Sequence, residues 1–229
     1  MAAKLSERIQ DLIGFDYASN EINTEDEALE TASAEVIDML PDELLLKYAV
    51  APTDLTSGSP TMNIKGKKIL RVLRIEGSND LGIHMHRACE KVDIDEYHNT
   101  TQDTNSIYAP TSFSPIYTED PESGTATLRV FPALTGSSVD TVNTAKVYYI
   151  TYPTGAFETN TELDGIPNEA EHAIALKAAI YILNTMISDK VQDDEDQEML
   201  TMLQAQQQIL QQTYQVEMQR LAGEETGVQ

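Results

Sequence analysis

Apolar residues recur at helical spacing toward both ends of this chain and in short β-branched runs between them. Leu5, Ile9, Leu12 and Ile13 fall on one side of a short helix that Gly14 can end. Thr24 and Glu27 have the spacing of a capping box, and Leu29, Ala32, Val36, Ile37 and Leu40 follow on one helical face. Pro41 cannot sit inside that helix but suits the first position of another, predicted over Asp42 to Val50. From Ala51 to Pro60 the residues have turn chemistry and mark a change of architecture.

The middle of the chain reads as strands. Runs rich in Val, Ile, Thr and Tyr, separated by Gly, Pro, Asn and Asp, occupy 68–75, 81–92, 107–117, 125–131 and 146–152. Pro110, Pro115 and Pro132 indicate bends or edge strands among them. After Ile166-Pro-Asn-Glu169 a helix carries apolar residues on nearly every side, among them Ala173, Ile174, Leu176, Ile180, Leu183 and Ile187, so it should be central. Asp193 to Asp196 place negative charge where a following helix begins, and that helix should run to about Ala222 with Gly223 as its cap. Met199, Met202, Leu203, Ile209, Leu210, Thr213 and Val216 form a stripe of nearly heptad spacing along it. Its length of about 30 residues exceeds the roughly 20 residues of the buried helix before it, so about ten should overhang at 1.5 Å each. The overhang would hold Tyr214, Val216, Met218 and Leu221, apolar groups needing cover from another chain.

Together these elements predict an α+β fold. A central antiparallel β domain over 51–165, a sandwich or small barrel, lies between an N-terminal helical segment over 1–50 and a C-terminal helical hairpin over 166–229. The N-terminal helices are expected to pack with the C-terminal ones.

Charge narrows the possible partners. The formal net charge is −23, and the first 50 residues alone hold 12 acidic and 3 basic side chains. Such a surface repels phosphate, which argues against adhesion to nucleic acid but not against a passage through which DNA slides. Lys65, Lys67, Lys68, Arg71 and Arg74 are an exception, a basic run without acids that reads either as a solvated strand face or as a docking surface for an acidic neighbour. No apolar run reaches the roughly 20 residues of a membrane span, and the first residues lack a secretory-signal pattern, so a cytoplasmic, non-membrane protein is expected.

Candidate chemistry is sparse. The chain has no Gly-rich phosphate loop, no Gly-x-Ser-x-Gly elbow and no Cys-x-x-Cys pair. His84 and His86, with His98 or Cys89 as a third ligand, are the best metal candidates, though strand alternation alone also produces such a pair. Cys89 reads as a small packed residue and His172 as a packed or capping side chain. Asp93-Ile-Asp-Glu96 and Asp193-Asp-Glu-Asp196 lack the Gly-containing loop of an EF-hand. We therefore expect no catalytic residue, no bound metal and no cofactor. The amide-rich string Gln204 to Gln212 suits either a helix face that meets protein or a solvated one.

Three stretches in order resemble virion structural proteins of tailed bacteriophages: Lys68-Ile-Leu-Arg-Val-Leu-Arg-Ile75, Ser106-Ile-Tyr-Ala-Pro-Thr-Ser-Phe-Ser-Pro-Ile-Tyr117, and Val147-Tyr-Tyr-Ile-Thr-Tyr-Pro153 followed by Ile166-Pro-Asn-Glu-Ala-Glu171. The resemblance spans roughly 60–220 and is similar to head-to-tail adaptors, or connectors. It implies a ring of about a dozen sister subunits beneath a portal protein, a tail or nozzle protein on the other side, and a DNA passage. It also implies a place in the virion neck after synthesis in the host cytoplasm. Another neck or tail-tube component, or a carbohydrate- or receptor-binding β module, fits the same residues. The surfaces expected to meet partners are the basic run, Lys65 to Arg74, and the overhang residues Tyr214, Val216, Met218 and Leu221.

Overall fold

A computed structural model describes residues 4–14, 22–49, 51–78, 84–93, 96, 109–120, 126–139, 141–154, 163, 166–193 and 197–223. The fold is α+β. It divides into a helical unit, Met1–Tyr48 with Tyr152–Gln229, and a β unit, Ala49–Thr151. No helix among the described residues is long and apolar enough to cross a membrane.

The helical unit contains α1 (Leu5–Ile13), α2 (Ile22–Met39), α3 (Asp42–Leu46), α4 (Asn168–Asp193) and α5 (Gln197–Gly223). Helix α4 is its axis, packed by α1, α2 and α5. It is buried nearly all round because its sequence alternates large residues, Ile174, Leu176, Ile180 and Leu183, with alanines at 170, 173, 175, 178 and 179. The alanines let neighbouring backbones approach, and the large residues fill the space between them. The amphipathic helix α1 buries Leu5, Ile9 and Ile13 and ends at Gly14, whose φ of 72° is a left-handed conformation that favours glycine.

Several expected boundaries move. Helix α2 begins at Ile22, two residues ahead of the expected cap at Thr24; a threonine inside a helix costs well under about 1 kcal/mol, so an earlier start is cheap. The helix after Pro41 is one turn, ending at Leu46 instead of Val50, with Pro41 in extended geometry as its cap. Helix α5 starts at Gln197, while residues 194–196 of the acidic cluster lie outside the described residues.

The β unit is a sandwich of two four-stranded sheets. One has the order β1 (Thr53–Leu55), β8 (Thr144–Thr151), β3 (Lys67–Ser78), β4 (His84–Ala88), all antiparallel. The other has the order β2 (Thr61–Asn63), β7 (Thr127–Phe131), β6 (Ile116–Asp120), β5 (Glu90–Lys91), antiparallel except for a parallel β5–β6 pair. Leu55, Val72, Ala145 and Val147 from the first sheet meet Met62, Leu128 and Val130 from the second in one core.

Two strands, β1 and β2, fall within or next to the stretch read as a turn-rich boundary. Each is three residues long, and the tight turn between them, bridged at Thr56 and Ser59, accounts for the Gly, Ser and Pro. The run over 107–117 resolves into a Thr111–Ser114 turn and then β6, with 107 and 108 outside the described residues. The second unit boundary falls after Thr151, earlier than 165. The reason is that Tyr152 donates to Asp38 at 2.6 Å and buried Leu163 donates its backbone N–H to Glu171 at 2.9 Å, both within the helical unit.

Candidate assembly interface

The α4–α5 hairpin is flush. Helix α4 has 26 residues and α5 has 27, and they run antiparallel, with Gln207 bonded to Asn184 and Tyr214 beside Lys177. Continuing that register brings Leu221 opposite Ala170, at the first turn of α4. The expected overhang does not exist, because α4 continues as helix through Ser188 to Asp193, where every residue but Val191 is polar. Leu221 is 1% exposed, and Tyr214 and Met218 are half-buried, so these three are covered by their own chain. Val216 alone of the four is open, at 66%.

The stripe read along this helix resolves into two. Leu203, Leu210 and Leu221 are buried on the inner face. Met202, Ile209 and Val216, each seven residues apart, are 53%, 57% and 66% exposed on another. Ala205, Gln212 and Gln219 are also exposed, and they interleave with those three at spacings of three and four. That is an outward seam of a-and-d type, rotated by about 100° from the inner one because the two sets differ by one residue. Sequence reading merged them; the separate i, i+7 series were the available signal. The glutamines divide likewise. Gln206 donates to the Leu12 carbonyl at 2.8 Å and Gln207 bonds Asn184, whereas Gln204, Gln208, Gln211 and Gln212 are exposed. Not one charged residue occurs from Met199 to Val216.

The basic run scatters. Lys65 and Arg71 are exposed and Lys67 and Lys68 half-buried; Lys67 donates to the Asn63 carbonyl at 3.0 Å and lies over the Tyr149 ring. Arg74, expected on a docking surface, is 2% exposed. Its Nε lies 2.8 Å from Glu76 Oε1, and its guanidinium donates to the Pro132 carbonyl. Plain strand alternation accounts for this, since Arg74 shares the buried face with Val72 while Arg71 points the other way.

A cluster that sequence reading did not find joins three helices. Lys177 of α4 pairs with Glu35 of α2 at 2.9 Å, and Tyr181 donates to the other oxygen of Glu35. The Lys177 ammonium lies 5.2 and 5.3 Å from the ring centres of Tyr181 and Tyr214, and Tyr214 donates to Met39 Sδ at 3.6 Å. The Tyr181 hydroxyl, then the Lys177 ammonium, hold the Glu35 carboxyl below its ordinary value. Burial pulls the Lys177 pKa down, but Glu35 together with Tyr181 and Tyr214 raises it, and the net shift is upward. A lysine held in its charged form is a clamp, not a nucleophile. The carboxylate of Glu171 does similar work, bonding Arg8 of α1 at 3.2 Å beside the Leu163 amide.

The remaining candidates sit as follows. His84 is half-buried and His86 exposed on β4, and His98 lies outside the described residues. Among the described residues no three or more His, Cys, Asp or Glu side chains converge as metal ligands. Burial pushes the Cys89 thiol up to about 12, so it packs against the β core as a neutral group. His172, expected to be packed or capping, is exposed, because it faces outward on the first turns of α4. No family model matches the chain, and no curated protein matches its sequence.

Proposed function

We propose that this chain is a non-enzymatic structural subunit of a tailed-bacteriophage virion, of the head-to-tail adaptor kind, in a ring between portal and tail that lines the DNA passage. The observation that carries the reading is the contrast on its surface: an exposed, uncharged apolar seam on α5 in a chain of net charge −23. Exposed apolar seams mark surfaces meant for protein, and an acidic wall lets DNA pass without adhering. The resemblance of the stretches around Lys68 to Ile75, Ser106 to Tyr117 and Val147 to Glu171 supplies the virion context. Electron microscopy of intact particles tests it: density for this chain is expected as a ring in the neck. Purified particles that lack the chain would refute the proposal.

A second reading, a carbohydrate-binding β module, is favoured by an open cleft of about 450 Å³ in the β unit. Phe131 and Arg129 line it beside the hydroxyl residues Ser57 and Thr61, the aromatic and polar groups that sugars use. Glycan-array binding lost on Phe131→Ala would favour it over the adaptor.

A further inference from the structure

We infer that the Met202–Ala205–Ile209–Gln212–Val216–Gln219 seam of α5 is the docking surface for a second copy of this chain, helix to helix. The inference rests on the assembly reading above only in assuming that the seam is used, and it names the occupant. The spacing is that of a coiled-coil seam, with Met202, Ile209 and Val216 in one set of core positions and Ala205, Gln212 and Gln219 in the other. All six are exposed over about 25 Å of helix, although the inner stripe on the same helix packs against α4.

Charge identifies the occupant. In coiled coils the residues flanking the seam choose the partner, through opposite charges that favour one chain and repel others. Here the flanking residues are Thr201, Gln208 and Gln215 on one side and Gln206, Thr213 and Arg220 on the other, and of these only Arg220, at the end of the seam, is charged. The first charges at either end are Glu198 and the Glu217–Arg220 pair, whose ions already satisfy each other at 2.7 Å. A basic partner would be drawn to the acidic faces, where its charges are matched, and not to this seam. A second copy carries −23 itself and is repelled everywhere that carboxylates face each other. An uncharged seam is where two such chains can meet, and it is complementary to itself: apolar groups face apolar groups, and glutamine amides both donate and accept. Parallel helices around an axis and an antiparallel pair both bring the Ile209 turn, midway between Met202 and Val216, against the same turn of the next copy.

The salt response separates this contact from one made by the basic run. Screening weakens repulsion between the acidic bodies and leaves the seam intact, so association through α5 should strengthen with salt. An ion-paired contact through Lys65 and Arg71 should weaken instead. Sedimentation of the purified full chain, over a salt and concentration series, should therefore show association that rises with both. The Ile209→Gln/Val216→Gln variant should associate at least about tenfold more weakly, equivalent to about 1.4 kcal/mol, with unchanged circular dichroism. A wild-type chain that stays monomeric throughout, an assembly that salt dissociates, or a variant that associates like wild type would each overturn the inference. Wild-type chain that is monomeric alone, with the variant nevertheless excluded from particles, would assign the seam to a different protein. That outcome overturns the second copy as occupant and leaves the assembly reading standing; absence of the chain from particles, with salt-driven association intact, does the reverse.

Discussion

The Arg74–Glu76 pair of the β unit and the Lys177–Glu35 cluster of the helical unit handle ionised groups in opposite ways. In the β unit a guanidinium lies inside, with Arg74 and Glu76 paired at 2.8 Å and almost without solvent. The helical unit also buries the carboxylates of Glu25 and Glu171, but its cluster of Lys177, Glu35 and Tyr181 lies at the margin, with Glu35 39% exposed. A charge that leaves water needs nearly complete compensation, whereas one at a margin keeps its hydration and adds only a modest attraction. Charge compensation is thus a requirement at Arg74 and an adjustment at Lys177.

The largest expected effect tests that requirement. Arg74→Ala leaves Glu76 buried without its cation and the Pro132 carbonyl without a donor, which should cost about 4 kcal/mol, as removal of one member of a buried pair does. Arg71→Ala, three residues away and exposed, should change stability by less than about 0.5 kcal/mol. Chemical unfolding of the two variants side by side checks the difference; equal effects would remove the distinction between buried and exposed cations. For the helical unit the comparable loss is apolar. Leu210→Ala on the inner face of α5 should cost about 3 kcal/mol through lost burial and the cavity left against α4. A midpoint within error of wild type would show the hairpin to be loosely packed.

The same contrast explains what could be read in advance. Helices α1, α4 and α5 were legible because apolar residues mark the turns of their buried faces, and strands β3, β7 and β8 because β-branched or aromatic residues recur along them. Strands β1 and β2 were hidden because each contributes one buried side chain, Leu55 or Met62, amid turn residues that dominate the local pattern. Arg74 and Arg71 are the same residue type within one basic run, but three residues apart on one strand they point to opposite faces of the sheet, and only Arg74 is on the buried side. The length of α4 was underestimated because its last turn is polar and apolar spacing does not report it. That error produced the supposed overhang and placed Leu221 among the partner residues, when the true open surface lies on a different side of the same helix.

A smaller effect concerns the interhelical cluster. Because the folded pKa of Glu35 is depressed, its contribution is present above the ordinary carboxylate value of 4.5 and is lost as pH falls through the lower folded value. Lys177 is shifted the other way, so its contribution is present below 10.5 and lost as pH rises through its folded value. Partial exposure limits the whole to about 0.5 kcal/mol. Glu35→Gln should lower helical stability by that amount near neutral pH, and the difference from wild type should shrink under acid conditions. A difference independent of pH in urea titrations would show that the glutamate acts through packing alone.

The smallest effect on stability sharpens the comparison most, because it concerns two residues one position apart. Ile209 and Leu210 are adjacent on α5, similar in size and both apolar, yet one is 57% exposed and the other 4%. Leu210 lies against α4, so its loss is felt by the isolated chain. Ile209 meets solvent, so replacing it with glutamine removes little that the folded monomer uses, and glutamine is a good helix former. Ile209→Gln should therefore shift the unfolding midpoint of dilute protein by less than about 0.5 kcal/mol. The measurement is a thermal melt followed by helical circular dichroism at low protein concentration, with Leu210→Ala as the reference. A large loss for Ile209→Gln under those conditions would mean that Ile209 is covered within its own chain. The outward seam would then belong to the core of the helical unit, and the division of α5 into a structural face and an assembly face would fail.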